Sequence, residues 1–271
     1  MRFGLDIAQQ RVTFAEVVAR ARFAEELGFD GVWGFDHFQP LYGAGPGECF
    51  EGYTTLAALA TATERVRLGL LVSGLTYRPV SLLAAQAITV DHASNGRLEL
   101  AIGSAWFEAE HHELGIEFPP TGARVDLLED ALHILRGLFT EDGFTYEGKQ
   151  ASVHGATLRP RPVQSPPPIW VGAAGERRSL PLVARYADAW HCFGDVGELG
   201  PKSQRLSAMC EAAGRDPATL LRSASLSIED PIDLVRSRVE AWAAAGFGYL
   251  VVGWPSTGRA AVEEFAATFL G

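Results

Sequence analysis

Segments that predict a β-strand alternate along this sequence with segments that predict an α-helix, and seven strand-then-helix units follow one another. The first unit has an apolar strand at residues 3–7 and apolar residues at helical spacing from 13 to 27, where Gly28 ends the helix. Such alternation favours parallel strands joined by crossover helices. A closed barrel of eight such strands takes about 250 residues. The sequence therefore predicts an α/β fold, a TIM (β/α)8 barrel, as a single domain over residues 1–271.

Two regions depart from this regular pattern. The predicted strands start at residue 3 and residue 31 and then lie at 66–72, 97–103, 169–172, 187–191, 223–228 and 247–252. The seventh is short and rich in small residues, so we expect the barrel to be irregular there. Residues 140–168 are rich in proline and form a long insertion before strand five. Because long loops in compact domains are usually functional, we expect this insertion to reach over or beside the barrel mouth.

Charge and cysteine content exclude several classes of function. The formal net charge of −10 argues against nucleic acid as a partner, because binding a polyanion requires a basic face. No apolar run approaches the roughly 18 residues that a membrane span requires, so we expect a soluble, unprocessed chain. Cys49, Cys192 and Cys210 stand singly, without a CxxC pair. This spacing predicts neither a zinc ribbon nor a disulfide framework and fits a reducing cytoplasm.

The end of the second strand carries the clearest candidate for chemistry. Asp36 and His37 follow an apolar stretch and precede Pro40, and groups at the carboxyl ends of barrel strands line the active site. Neighbouring strand residues point to opposite faces, so we predict that His37 faces the ligand as the catalytic residue while Asp36 shapes the pocket. An imidazole with an ordinary pKa of about 6.5 suits proton transfer near neutrality. The alternative is a histidine that only closes the strand by hydrogen bonding to the backbone.

The turn after strand five has the composition of an anion-binding loop. Gly172, Ala173 and Gly175 let a ligand approach the backbone closely, and the following helix offers unpaired N–H groups. Arg177 and Arg178 add positive charge, although no Walker sequence is present. We predict a phosphate cradle here, and an ordinary tight turn between strand and helix is the alternative.

Other strand ends add small and aromatic residues. Ser73 and Gly74 end strand three, while Ser104 and Trp106 follow strand four. Together these residues predict a wall against which a planar ring lies, with a purely structural aromatic as the alternative for Trp106. His191 closes strand six and is predicted to face the same mouth.

Glutamate and histidine are concentrated at residues 108–113, which suggests a metal site at first sight. The neighbouring His111 and His112 lie about 100° apart on a helix, and no HExxH spacing is present. We therefore predict no metal site and expect a solvated helix face.

A series of short motifs, in a fixed order, resembles the bacterial luciferase-like superfamily of flavin and deazaflavin oxidoreductases, and most closely its coenzyme F420 branch. The motifs are LGFDG at 27–31, DHF at 36–38, YTTL at 53–56, ERVRLG at 64–69, SNGR at 94–97, GSAWFEAEH at 103–111, RPRPVQ at 159–164, GERRSL at 175–180 and ADA at 187–189. The resemblance implies a homodimer that moves a hydride between coenzyme F420 and a small organic substrate.

The resemblance also implies roles for particular residues. His37 resembles the family histidine beside the redox ring, and the segment at Ser73 is where relatives carry a non-proline cis peptide. Trp106 stands near the slot where some relatives have a catalytic glutamate, so no role is assigned to Glu108. The residues expected to contact the cofactor are Asp36, Ser73, Gly74, Ser104, Trp106, Gly172, Ala173, Gly175, Glu176, Arg177 and His191. The alternatives are a monooxygenase that uses reduced FMN and oxygen, and a flavin-binding protein without turnover.

Overall fold

The computed structural model describes all 271 residues and contains the predicted barrel, in which eight parallel strands are surrounded by helices. The strands are β1 (Arg2–Asp6), β2 (Gly31–Gly34), β3 (Arg67–Leu70), β4 (Ser73–Gly74), β5 (Leu98–Gly103), β6 (Phe144–Glu147), β7 (Ser152–Ala156), β8 (Ile169–Gly172), β9 (Ala189–Cys192), β10 (Leu221–Leu226) and β11 (Tyr249–Gly253). The helices are α1 (Phe14–Glu26), α2 (Gly52–Ala62), α3 (Val80–Ala93), α4 (Glu108–Leu114), α5 (Thr121–Thr140), α6 (Ser179–Tyr186), α7 (Val196–Ala212), α8 (Ile232–Ala244) and α9 (Arg259–Phe269).

The barrel closes through pairing of β3 with β5. Its ring order is β1, β2, β3, β5, β8, β9, β10 and β11, and β11 pairs with β1. The third barrel strand continues in the short β4, which pairs with β5 after the non-proline cis peptide between Leu71 and Val72. This cis bond lies in the segment where the resemblance implied one. The prediction of a TIM barrel is confirmed.

The seventh barrel strand is regular, in contrast to the irregularity expected from its composition. β10 spans six residues and pairs in continuous register with both β9 and β11. The side chains of Ser223 and Ser225 approach His191 on β9, while Ala224 and Leu226 belong to the core between barrel and helices. The strand therefore alternates between two faces, and its inward face is composed of small polar residues.

Large aromatic side chains fill the lower barrel, and glycines make room for them. Trp33, Trp170 and Tyr249 pack against one another with ring centroids 4.8 to 6.1 Å apart. A Cβ on Gly69 would lie 2.3 Å from the Trp33 ring, and one on Gly4 would lie 2.4 Å from its indole nitrogen. Since native interiors are close-packed, these glycines are required by the aromatic filling rather than by backbone conformation. The filled interior confines any ligand to the mouth above it.

The insertion before strand five packs against α5. Its hairpin, β6 and β7, lies along the outer side of α5, where Phe144 packs against Gly137. At the hairpin turn, the buried Asp130 of α5 accepts the backbone N–H groups of Gln150 and Ala151 at 2.6 and 3.0 Å. Residues 150–153 of the hairpin also line a groove of about 590 Å³ together with residues 75–81, which follow β4. The expectation that the insertion reaches over or beside the mouth stays a prediction.

None of the helices combines the length and the apolar character that crossing a lipid bilayer requires.

Candidate active site

A buried carboxylate holds His37 at the mouth. The Nδ1 atom of His37 lies 2.9 Å from Glu110 Oε2, and the Tyr77 hydroxyl donates to the same oxygen. The other oxygen, Oε1, accepts the backbone N–H groups of Phe38 and Gln39 at 2.7 and 2.9 Å. Burial raises the pKa of Glu110, but these hydrogen bonds outweigh it and hold the pKa below its ordinary value. The carboxylate is therefore ionised at neutral pH.

This arrangement determines which nitrogen of His37 faces a ligand. An ionised carboxylate only accepts hydrogen bonds, so neutral His37 carries its proton on Nδ1 and presents the lone pair of Nε2. Nε2 has no protein partner. The ring is 10% exposed, which leaves it in contact with the mouth. His37 is thus oriented as a proton acceptor.

Aromatic rings stand beside His37. The ring centroid of Trp106 lies 5.6 Å from that of His37, and Trp106 stacks on Phe107 at 5.2 Å. Trp106 is 67% exposed, so one face of its indole is free. Its neighbour Ser104 is held through its carbonyl oxygen, which accepts the Nε–H of Arg124 at 3.1 Å.

The expected solvated helix face is wrong for two of its residues. Glu110 and His111 of α4 are fully buried, whereas Glu108 and His112 are exposed and pair with each other at 3.5 Å. His111 stacks on the ring of Tyr77, with centroids 4.6 Å apart. The buried face of α4 therefore orients both His37 and Tyr77, the two side chains that meet at the Glu110 carboxylate.

Asp36 lies behind the mouth rather than in it. The Arg78 guanidinium donates to both carboxylate oxygens at 2.7 and 2.8 Å, and the Gly74 amide donates to Oδ2 at 2.9 Å. Burial raises the pKa of Asp36 above its ordinary value, and Arg78 offsets part of that rise. Ser73 is buried as well, and its hydroxyl lies 2.8 Å from that of Tyr53. Asp36, Ser73 and Gly74 therefore form a second layer that supports the mouth, which differs from the predicted contact with a ligand.

Val72 forms the surface in front of this layer. A Cβ on Gly103 would lie 2.5 Å from one Val72 methyl group, and a Cβ on Gly172 would lie 2.7 Å from the other. The isopropyl group thus rests on the ends of β5 and β8 in space that only glycines leave open, and it is partly exposed. This gives the mouth an apolar floor.

The turn between β8 and α6 contains one cation that is free to bind an anion. Arg178 donates to Asp126 of α5 at 2.6 Å, and Glu176 pairs with Arg205 of α7 at 2.6 Å. Arg177 is exposed and makes no hydrogen bond within the chain. Together with neighbouring residues of α5 and α6 it lines a groove of about 230 Å³.

The backbone of this turn leaves several N–H groups without a partner in the chain. The Gly175 carbonyl oxygen accepts the N–H groups of Ser179 and Leu180 at 3.1 and 3.0 Å, which starts α6. Ala173 is tied to β9 by its own N–H, which donates to the His191 carbonyl oxygen at 3.3 Å. The N–H groups between these points, at residues 174–177, have no partner within the chain. Backbone donors and a free guanidinium together suit a phosphate group.

His191 is closed off from the cofactor residues. Its Nδ1 lies 3.0 Å from the Ser223 hydroxyl and its Nε2 lies 3.4 Å from the Ser225 hydroxyl. The residue is 1% exposed, and burial lowers the pKa of His191 to about 3. The predicted contact between this ring and a cofactor is therefore not what the structure contains, because β10 supplies hydroxyl partners that the sequence does not reveal.

The remaining predicted residues lie at or after the ends of β2, β5 and β8, which together with β3 form one side of the ring. These residues are His37, Ser104, Trp106, Gly172, Ala173, Gly175, Glu176 and Arg177. Sequence reasoning missed Glu110, Tyr77 and Val72. A signal for Glu110 was present, because residues 107, 110 and 111 share one face of a helix. For Tyr77 and Val72 no local signal distinguishes a site residue from an ordinary loop residue.

Comparison with known proteins gives the following matches. The family model for luciferase-like monooxygenase matches residues 1–265. An F420-dependent glucose-6-phosphate dehydrogenase from Intrasporangium calvum is 36% identical over 211 residues, which cover 75% of this chain and 61% of that protein. The chain thus spans less than two thirds of that relative.

Solved structures match the fold over its whole length. An F420-dependent secondary alcohol dehydrogenase, solved with an F420-acetone adduct, superposes with a TM-score of 0.88 at 17% identity and covers 99% of this chain and 98% of its own. The monooxygenase RslO1 from Streptomyces bottropensis has a TM-score of 0.82 at 20% identity, with 100% and 99% coverage. At these identities the likeness concerns the fold.

Proposed function

This chain belongs to the luciferase-like monooxygenase family, and on that premise we propose that it is an oxidoreductase that transfers a hydride between coenzyme F420 and a small organic substrate. One observation carries the proposal. On one side of the mouth an oriented imidazole, an apolar floor and a turn with unpaired N–H groups follow one another around the barrel. This order matches the ring and phosphate of one cofactor molecule.

The residues present fit such a cofactor. A planar ring has an apolar support in Val72, with Trp106 beside it, and a phosphate has the free N–H groups of residues 174–177 and the guanidinium of Arg177. The choice of F420 rests on the names of the relatives, since the Intrasporangium calvum protein and the alcohol dehydrogenase are both F420-dependent.

When bound, coenzyme F420 supplies the carbon centre that accepts or donates the hydride. The chain supplies orientation and proton transfer. Nε2 of His37 accepts the proton of a substrate hydroxyl during oxidation, and the imidazolium formed is stabilised by the ionised Glu110. In the reverse direction the same nitrogen donates the proton to a carbonyl oxygen.

A reduced-FMN monooxygenase is the second candidate, because the names of the family model and of the RslO1 match both include the word monooxygenase. The two candidates are separated by titrating the protein with F420 and with FMN while the tryptophan fluorescence is followed. Trp106, 67% exposed beside His37, is the expected reporter, so we expect F420 to quench it and the Trp106→Phe variant to lose most of the quenching. Tight binding of FMN without binding of F420 would overturn the proposal.

A third possibility, binding without turnover, is tested with His37→Ala. We expect this variant to bind F420 with an unchanged Kd and to lose hydride transfer. The Arg236→Ala variant, altered on the exposed side of α8, is the matched control and should keep both. If His37→Ala retained full turnover, the assigned role of the imidazole would be wrong.

We further propose that the protein works in the cytoplasm as a homodimer. The three free cysteines fit a reducing compartment, and the dimer rests on the family resemblance. Light scattering coupled to size exclusion at micromolar concentration tests it, and a mass of 29.2 kDa would mean a monomer.

A further inference from the structure

Three aromatic side chains are exposed at the mouth of the barrel. Tyr42, Trp106 and Phe193 are 62% to 67% exposed, and no other large hydrophobic side chain is more than 53% exposed. They lie in the loops that follow β2, β5 and β9, and the loops at the carboxyl ends of barrel strands share one face of the barrel. The three rings are called here the aromatic rim. Because water solvates large apolar surfaces poorly, a ligand that covers these rings gains affinity.

The backbone holds Trp106 in its exposed position. Ala105, which precedes it, has a φ of +59°, in the left-handed region that costs a residue with a Cβ atom free energy. On one side of this residue the Ser104 carbonyl oxygen accepts the Nε–H of Arg124 at 3.1 Å. On the other side the Glu108 amide donates to the Trp106 carbonyl oxygen at 3.0 Å. Strained residues of this kind cluster at ligand sites, so the exposure of Trp106 points to a ligand.

One face of the Trp106 indole is covered and the other is open. Phe107 stacks on the indole with ring centroids 5.2 Å apart and an interplanar angle of 15°. The centroid of the His37 ring lies 5.6 Å from that of Trp106 and 5.7 Å from that of Phe107. His37 therefore stands beside the stacked pair and not over the second face of the indole. A further flat ring on that face would continue the stack, and offset stacking is a preferred arrangement of aromatic rings.

The open face lies beside the groups assigned to the chemistry. His37 borders the stacked pair, and its Nε2 has no partner in the chain. Gly103, against which Val72 packs, comes three residues before Trp106. A flat ring on Trp106 is therefore a neighbour of both the imidazole and the floor that supports the cofactor ring, and a substrate has to occupy this place.

We propose that the substrate of this chain contains a planar unsaturated ring system, and that this ring stacks on the open face of Trp106. Tyr42 and Phe193 border the opening on either side, because β2 and β9 each lie two strands away from β5 in the ring. Two strand spacings are about 10 Å, which admits a system of two fused rings. The inference rests on the proposed function, since it names the substrate class for the same site.

Two probes that share a carbon skeleton test the inference. 2-Naphthol is flat, whereas decahydro-2-naphthol has the same carbon atoms and hydroxyl group in puckered rings, which touch an indole face at fewer atoms. Isothermal titration calorimetry with the F420-loaded protein gives a Kd for each probe. We expect 2-naphthol to bind at least tenfold more tightly than the saturated probe. A smaller preference, or no binding of either probe, would overturn the inference.

Trp106→Leu and Trp106→Phe form a matched pair of variants. Leucine keeps an apolar side chain without a stacking face, and phenylalanine keeps the face. We expect Trp106→Leu to bind the two probes equally and Trp106→Phe to keep the preference for 2-naphthol. The melting temperature of each variant, and its Kd for F420 measured by calorimetry, should stay near those of the parent protein. A Trp106→Leu protein that keeps the tenfold preference would overturn the inference.

The two levels of the proposal fail differently. If F420 does not bind in the fluorescence titration, the proposed function fails. If F420 binds and the preference for 2-naphthol is found only in the protein without F420, the ring of the cofactor covers Trp106 and only the substrate class is wrong.

Discussion

Asp6 is expected to cost the folded protein stability at neutral pH, and Asp6→Asn removes that cost. The ordinary pKa of 3.8 rises in the folded protein to about 6 because of burial. Each pKa unit corresponds to about 1.4 kcal/mol, so ionised Asp6 destabilises the folded state by about 3 kcal/mol. Asparagine has the same shape and keeps the hydrogen bond from the Ala8 amide, but it carries no charge.

The sign follows from proton binding. Between pH 4 and 6 the folded protein holds the Asp6 proton while the unfolded chain has lost it, so the free energy of unfolding falls as pH rises through this range. Above pH 6 both states are ionised and the cost is constant. The difference between Asp6→Asn and the parent protein is therefore small near pH 4 and reaches about 3 kcal/mol above pH 7.

Urea unfolding of both proteins at a series of pH values from 4 to 8 measures this difference. At pH 8 it corresponds to a melting temperature roughly 6 to 12 °C higher for the variant. His191 acts in the opposite direction, since its pKa is lowered to about 3 and the folded state loses stability as pH falls below about 6.5. The His191 contribution is the same in both proteins, so it cancels in the difference between their free energies of unfolding. The reasoning would be refuted if the free energies of unfolding of the two proteins ran parallel with pH, or if Asp6→Asn were less stable than the parent protein at pH 8.

Three further outcomes are expected. Glu110→Gln cannot accept all the donors that meet at this carboxylate. We therefore expect kcat to fall by about 10²-fold and the dependence of kcat on pH to shift. An unchanged dependence on pH would show that Glu110 does not position His37. Arg177→Ala should raise the Kd for F420 about tenfold, and inorganic phosphate should compete less well with it, while Arg236→Ala changes neither. Gly69→Ala places a methyl group 2.3 Å from an indole carbon, so its free energy of unfolding in urea should fall by about 3 kcal/mol.

The sequence predicted the parts of this molecule that depend on local order. Strand-then-helix alternation is sufficient for the barrel, and the position of His37 follows from being next to a strand end. The features that the sequence predicted only in part depend on contacts between distant segments of the chain. Glu110 was assigned to a solvated surface because its four donors come from other segments of the chain, although residues 107, 110 and 111 share one face of a helix.

The insertion and the seventh strand also depend on contacts with distant residues, which local composition does not reveal. Proline-rich composition predicts a long loop but not where the loop packs. Asp130 on α5 determines that position, because it accepts the backbone N–H groups of the hairpin turn. Small residues at 223 and 225 weaken the strand pattern in the sequence. They are accommodated because His191 occupies the space beside them.

The carboxylates near the mouth differ in how completely their oxygens are hydrogen-bonded within the chain. Asp36 and Glu110 are buried with their oxygens engaged by cations, hydroxyls or amides, as expected of groups that maintain a structure. Asp6 accepts the Ala8 amide with one oxygen, its other oxygen has no partner in the chain, and burial raises its pKa to about 6. A neutral side chain there would fold better, and sites that trade stability for activity are where such groups persist.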